Sequence, residues 1–434
     1  MNYPKMNYSI YPSSFSHWFF IFITLFIVNI NGAKIMKTSI HSYKGFNAKF
    51  DRPDTSEDAG DESFNPDVEL MTPEMIRRAG YPAEAHTVVT EDGYFLKIHR
   101  IPNKTGYPIF LQHGLLSSSA DWVILGRGRA LPYLLADLGY DVWLGNYRGN
   151  TYSLGHTTLS INSQEYWNFS WHELGIHDLP AMLNYVVNYK NQQVIYIGHS
   201  MGTTGSFVMA AERLDMHEKI RLLISFAPVA YMTHIKSPIR IFAPYIREIQ
   251  RIEQYFGLDK FLPRNWIIHL LSKYGCNLTT KEEKVCENII FTIGGFDAAQ
   301  FNLSFLPVIT NHDPAGASTK CVVHYLQEVN SGKFRQYDFG EVKNMEKYNA
   351  ISPPDYNISR MSIPVAFFYG INDWLAAVQD VKRFYKQLPN TVEIVQVNHT
   401  MFNHLDFLWA REAPELLYYQ VLDLIHDQIQ GGNH

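Results

Sequence analysis

Gly198-His199-Ser200-Met201-Gly202 carries the spacing G-x-S-x-G. The run Val194-Ile195-Tyr196-Ile197 before it reads as a short buried strand, and Thr203 to Leu214 after it reads as a helix. A serine on a sharp strand-to-helix turn holds its hydroxyl exposed above a sheet, and the flanking glycines let the backbone fold that tightly. In that context Ser200 is a nucleophile. Without it, the same five residues are a plain helix-entry turn with Ser200 as its N-cap.

A serine hydroxyl is weakly nucleophilic and needs an adjacent base, itself oriented by a carboxylate. Behind a strand-turn-helix nucleophile, the acid and then the base follow along the chain. Asp373 lies in the loop after the apolar run Pro364 to Tyr369, and His404 lies beyond the run Val392 to Val397. Both fall past the carboxyl end of a strand, on the rim that carries Ser200. The rivals have other expected uses. Asp380 starts a helical stretch and reads as its N-cap, Asp406 reads as the cap of the next helix, and His399 is an alternative base inside a glycosylation sequon. Turnover also needs donors for a developing oxyanion. The N–H of Met201 and the N–H of Leu115, in the loop His113-Gly114-Leu115-Leu116, fit that need. His113 and His199 read as structural. There is no metal signature, no phosphate loop, and no cofactor is expected.

The elements that must hold these groups alternate. A hairpin, His86 to Thr90 and Tyr94 to Ile101, turns at Glu91-Asp92-Gly93. Apolar runs follow at Tyr107 to Leu111, Tyr140 to Leu144, Val194 to Ile197, Leu222 to Phe226, Pro364 to Tyr369 and Val392 to Val397, with helical stretches between. The pattern predicts an α/β fold: a mostly parallel central sheet with helices on both faces and ligands at the strands' carboxyl ends. Residues 231–345 break the alternation with an aromatic, mainly helical insertion, expected as a cap or lid. Its stretch from Ile239 to Phe256 is amphipathic, either the cap's own core or a lipid-contacting face. The core is expected over residues 65–230 and 346–434.

The chain has 434 residues, 46% of them hydrophobic and 14% aromatic, enough for one large domain with an insertion. A net charge of −5 gives no basic footprint for nucleic acid. Trp18 to Val28 is apolar but too short to span a membrane, and Gly32-Ala33 follow it, so residues 1–33 read as a signal peptide and 34–64 as a polar leader. Cys276 and Cys286 are close enough to close a small disulfide loop, with Cys321 left as a buried thiol, although spacing alone leaves the pairing open. Glycosylation sequons begin at Asn103, Asn168, Asn277, Asn302, Asn357 and Asn398, and agree with secretory passage. Asn168, set between aromatics, is not carried forward as an acceptor.

From Asn65 to Ile429 the chain resembles the acid lipases, a family that includes the lysosomal and gastric lipases and their insect relatives. The resemblance rests on Gly80-Tyr81-Pro82, Thr90-Glu91-Asp92-Gly93-Tyr94, Gln112-His113-Gly114-Leu115-Leu116 and Tyr140-Asp141-Val142-Trp143 with Asn146 and Arg148-Gly149-Asn150. It continues in Phe169-Ser170-Trp171-His172-Glu173, Asp178-Leu179-Pro180-Ala181, Asp373-Trp374-Leu375-Ala376 and Asn403-His404-Leu405-Asp406-Phe407. It implies the α/β-hydrolase fold, Ser200 as nucleophile, Asp373 as acid, His404 as base and a Cys276–Cys286 disulfide. Two positions depart from the family's habit: Met201 stands where Gln is common, and Leu375-Ala376-Ala377-Val378 replaces Leu-Ala-Asp-Pro. The first leaves a backbone donor intact, and the second puts the seating of the acid loop in question.

These readings converge on a secreted or lysosomal serine ester hydrolase acting on triacylglycerol or sterol esters at an emulsion or membrane surface. No nucleic-acid partner and no membrane-spanning segment after signal removal are expected. A soluble carboxylesterase with the same triad, or a weakly catalytic lipid-binding protein on the scaffold, is the alternative.

Overall fold

The chain enters its sheet through an antiparallel hairpin. Glu84–Val89 (β1) pairs with Tyr94–Ile101 (β2), and Gly93 turns between them at φ +97°. Next come Pro108–Gln112 (β3), Asp141–Gly145 (β4), the two-residue Gly155–His156 (β5) against β2, Val194–His199 (β6) and Ile220–Phe226 (β7). The short strands Lys260–Phe261 (β8) and Ala317–Ser318 (β9) pair only with each other. Val365–Tyr369 (β10) and Thr391–Gln396 (β11) complete the set. This computed structural model describes residues 65–250, 260–261 and 291–431.

The sheet order is β1-β2-β4-β3-β6-β7-β10-β11, with β5 beside β2. The β2–β4 pair is antiparallel, and every neighbour from β4 to β11 is parallel. All residues of β3, β4, β6 and β10 are buried, as parallel strands covered on both faces require. The outer strand β11 is largely open to solvent and carries Glu393, which suits an edge.

The expected strands are all present, with ends shifted by one or two residues. β5, β8 and β9 escape sequence reading because two residues have no periodicity to detect. The helix after Ser200 spans Met201–Glu212 and starts two residues earlier than its pattern suggests. Its residues Met201 to Ala211 are buried, so it runs through the core rather than along the surface.

Between residues 231 and 345 the described chain is mainly helical: a 3-10 turn at Pro238–Tyr245, then helices Leu306–His312, Thr319–Ser331 and Glu341–Tyr348. Ala243 and Ile246 pack on Val322, Val323 and Leu326, while Ile241, Phe242 and Tyr245 face outward. The described part of the amphipathic stretch thus has one side packed within the insertion and one side exposed. Residues 1–33 and 34–64, the Cys276–Cys286 pair and Asn277 lie outside the described residues. Cys321 is buried and free, and burial pushes its thiol pKa up. Among the described residues no helix is long and apolar enough to cross a membrane, and no group of ligating side chains is suited to a metal.

Candidate active site

β6 ends in the middle of the sheet, and Ser200 follows it with φ +54° and ψ −117°, a conformation that costs a non-glycine residue strain. Close packing around the turn explains its glycines. A Cβ on Gly198 would lie 2.8 Å from the Gly202 carbonyl carbon, and one on Gly202 would collide with the Gln112 carbonyl oxygen at the end of β3. Tyr196 donates its hydroxyl to the Gly202 carbonyl at 2.6 Å, and the Ser200 N–H donates to Phe226 at 3.1 Å. The turn is thereby held from strand and helix sides.

His404 reaches this hydroxyl. Its Nε2 lies 2.8 Å from Ser200 Oγ, and its Nδ1 lies 2.9 Å from Asp373 Oδ2 and 3.1 Å from Oδ1. Asp373 follows β10 and His404 follows β11, and both side chains are buried. Asp373 Oδ1 also accepts the N–H groups of Leu375 (2.8 Å) and Ala376 (2.7 Å). The carboxylate organises its own loop, so Ala377-Val378 do not prevent the acid from meeting the histidine.

Gly114 packs against Ser200: a Cβ there would be 3.1 Å from Ser200 Cβ. His113 Nδ1 donates to the Gly114 carbonyl at 2.8 Å, while Nε2 accepts from the Tyr147 N–H (3.1 Å) and Asn150 Nδ2 (3.2 Å). These partners fix one neutral tautomer, and burial lowers the His113 pKa to about 4. In a trans peptide the carbonyl of one residue and the N–H of the next point in opposite directions. With the Gly114 carbonyl turned to His113, the Leu115 N–H faces the opposite way. Among the described residues, neither the Leu115 nor the Met201 N–H has a protein acceptor.

The remaining expectations divide. His113 and His199 are structural, as anticipated; His199 Nε2 donates to the His404 carbonyl at 2.8 Å. Burial and the nearby His404 keep the His199 pKa well below its ordinary value. Asp380 is not an N-cap. It lies inside the first turn of the helix Val378–Tyr385 and accepts from His234 N and Nδ1, both at 2.7 Å. Asp406 is not the cap either. Asn403 Oδ1 accepts the N–H groups of Leu405 and Asp406, and Asp406 Oδ2 returns a bond to Asn403 N at 2.7 Å. Serial position alone hid these roles, because a first-turn carboxylate and a cap look alike in sequence. His399, the rival base, bonds Asp297 Oδ2 at 2.6 Å instead of Ser200. Asp297 had no sequence signal. Among the glycosylation candidates, Asn357 and Asn398 are exposed and Asn302 is half-buried. Asn103 is half-buried too, with its Nδ2 bonded to the Gly139 carbonyl.

Comparison with known proteins follows the same lines. Residues 72–126 match the partial alpha/beta-hydrolase lipase region, and residues 107–250 match the alpha/beta hydrolase fold. Lipase 3 of Drosophila melanogaster is 44% identical over 358 residues, covering 80% of this chain and 91% of that protein. Lipase lipl-1 of Caenorhabditis elegans is 38% identical over 382 residues, covering 85% of this chain and 94% of its own. The gastric triacylglycerol lipase of Homo sapiens is 38% identical over 376 residues, covering 84% and 92% respectively. With a strand-to-helix serine turn in the middle of a parallel sheet and relatives of this identity along most of their length, the chain belongs to the α/β-hydrolase lipase family.

Proposed function

We propose that this protein hydrolyses lipid esters through an acyl-enzyme on Ser200, with His404 as base and Asp373 as its orienting acid. The observation that carries the reading is the unbroken contact from Ser200 Oγ to His404 Nε2 (2.8 Å) and from His404 Nδ1 to Asp373 (2.9 Å). With Nδ1–H donated to the carboxylate, Nε2 holds a free lone pair aimed at the hydroxyl. As Oγ attacks the ester carbonyl, its proton passes to Nε2, and Asp373 stabilises the imidazolium. The N–H groups of Leu115 and Met201 receive the oxyanion. Collapse of the tetrahedral intermediate passes the Nε2 proton to the departing alkoxide. Water then attacks the acyl-enzyme by the same route and releases the fatty acid and free Ser200.

Triacylglycerol or sterol esters at an emulsion or membrane surface are the proposed substrates. The outward-facing Ile241, Phe242 and Tyr245 within the proposed 231–345 cap support that choice, since apolar side chains exposed together suit contact with lipid. The proposal includes secretory passage, with residues 1–33 as signal peptide, 34–64 as leader, glycans on sequon asparagines and a Cys276–Cys286 disulfide.

The test is hydrolysis by the purified protein against rising substrate, through the solubility limit into emulsion, with Ser200→Ala alongside. Rates that climb once the interface forms, and vanish in Ser200→Ala, are expected. Saturation on soluble esters with no emulsion activity would identify a carboxylesterase. Turnover by Ser200→Ala would overturn the nucleophile assignment.

A further inference from the structure

We propose that Gly294–Asp297, in the segment inserted between the core strands, is a strap that holds the acid loop and the base loop in register, with Asp297 as the positioning residue that fastens it. The proposal rests on the Ser200–His404–Asp373 reading above.

The Gly294 carbonyl accepts two N–H groups: Trp374, next to the acid, at 3.1 Å, and His404 itself at 3.3 Å. A carbonyl oxygen has two lone pairs, so one acceptor ties both loops. Gly295 then passes where no side chain fits. Its φ is +117°, a Cβ would collide with the Asn372 carbonyl oxygen, and its own carbonyl accepts Asn403 Nδ2 at 3.0 Å. Asn372 Nδ2 in turn donates to Phe296 O at 2.9 Å and to Met401 O at 3.1 Å. The strap is laced between residues 372–374 and 401–404 at each step.

Asp297 closes the lacing. Its Oδ2 accepts His399 Nε2 at 2.6 Å, and its carboxyl neighbours that of Asp406, whose pKa it raises. Asp406 holds the N–H of Asn403, the residue before the base. Asp297 is thus fastened to the base loop through His399, with Asp406 beside it holding Asn403, the neighbour of His404. Two neighbouring buried carboxyl groups disfavour the doubly charged state, which favours a retained proton on one of them. The groups facing the pair are His399 from the loop after β11, Asp373 across the base loop, and His404 beyond it. Burial and the Asp297 carboxyl raise Asp406 well above the ordinary carboxylate range, and Asp373 raises it further. A group whose folded pKa is raised contributes stability below its unfolded value and loses it as pH rises through the folded value. The strap is thus fastened in acid and loosens on the alkaline side.

Asp297→Asn separates this role from plain packing. The amide oxygen keeps the His399 bond, and Nδ2–H donates to the Asp406 carboxylate with no proton to share. We expect kcat on a soluble short-chain ester, followed from about pH 4 to about pH 9, to show an alkaline limb displaced upward by about one pH unit or more. Asp297→Ala leaves His399 and Asp406 without their partner and lowers kcat about tenfold or more, with KM little changed. An Asp297→Asn limb that superposes on the wild type overturns the proposal, as does wild-type kcat in Asp297→Ala. If the alanine variant does not fold, the asparagine limb decides alone. Ser200→Ala, measured in parallel, tells the two readings apart. If it is inactive and the limb is unmoved, only the strap falls; if it turns over, the triad reading falls first.

Discussion

Gly198→Ala tests the proposed nucleophile turn directly. The new methyl would stand 2.8 Å from the Gly202 carbonyl carbon, 2.9 Å from its oxygen and 2.9 Å from Tyr196 Cε1. Ordinary carbon contacts begin near 3.4 Å and are comfortable near 4 Å, so residues 198 and 202 must part by about 0.6 to 1.2 Å. These two residues flank Ser200, and Tyr196 pins Gly202 at 2.6 Å, so little of the strain can be relieved away from the nucleophile. Overpacking of this kind costs about 1–3 kcal/mol of stability. The larger effect falls on rate, because a displacement near 1 Å at the reacting atoms can cost about 10²-fold. The assay is kcat on a soluble short-chain ester, with thermal melting on the same preparations. Gly175→Ala is the control. Its methyl would meet Val208 Cβ at 2.6 Å and the Gly205 carbonyl at 2.8 Å, on the helix packing behind the site. Both variants should melt lower, and only Gly198→Ala should lose about two orders of magnitude in kcat. A folded Gly198→Ala with wild-type kcat would refute the reasoning.

Other perturbations give distinct signatures. In Asp373→Asn the amide oxygen should stay with the Leu375 and Ala376 N–H groups, turning Nδ2–H toward His404 Nδ1. That imposes the tautomer whose Nε2 already carries a proton, so kcat should fall about 10⁴-fold with the fold intact; a loss below about tenfold speaks against the assigned acid. Asp121 and Asp313 are a second pair of neighbouring buried carboxyl groups, with Ser117 donating to Asp121, and burial raises Asp121 to about 6 and Asp313 well above its usual range. Raised folded values mean that stability is present in acid and declines as pH rises through about 6. Melting temperature should therefore drop between about pH 5 and about pH 8, and Asp313→Asn should flatten that slope; parallel profiles would show that the pair does not set it.

Much of the proposed site was legible in the sequence. Ser200 stood out because a strand-to-helix serine turn leaves a local record: a buried strand, two glycines forced by backbone approach, and a helix. Asp373 and His404 could be placed because both follow short apolar strands, and the carboxyl ends of parallel strands share one rim. The proposed oxyanion role of Leu115 follows the same logic, since β3 lies beside β6.

Roles that depend on distant partners left no such record. Asp380, Asp406 and His399 each looked like a cap or a rival, and were reassigned by His234, Asn403 and Asp297. The double use of the Gly294 carbonyl joins three segments separated by some thirty to eighty positions and involves no side chain of its own. Local periodicity and spacing are written by short-range sterics and burial, so the sequence by itself determined the alternating sheet, the serine turn and the strand ends at which Asp373 and His404 lie. Which lone pair meets which N–H across loops depends on how those loops pack, and only the tertiary structure decided the seating of the acid loop, the His113 tautomer and the strap beneath the base.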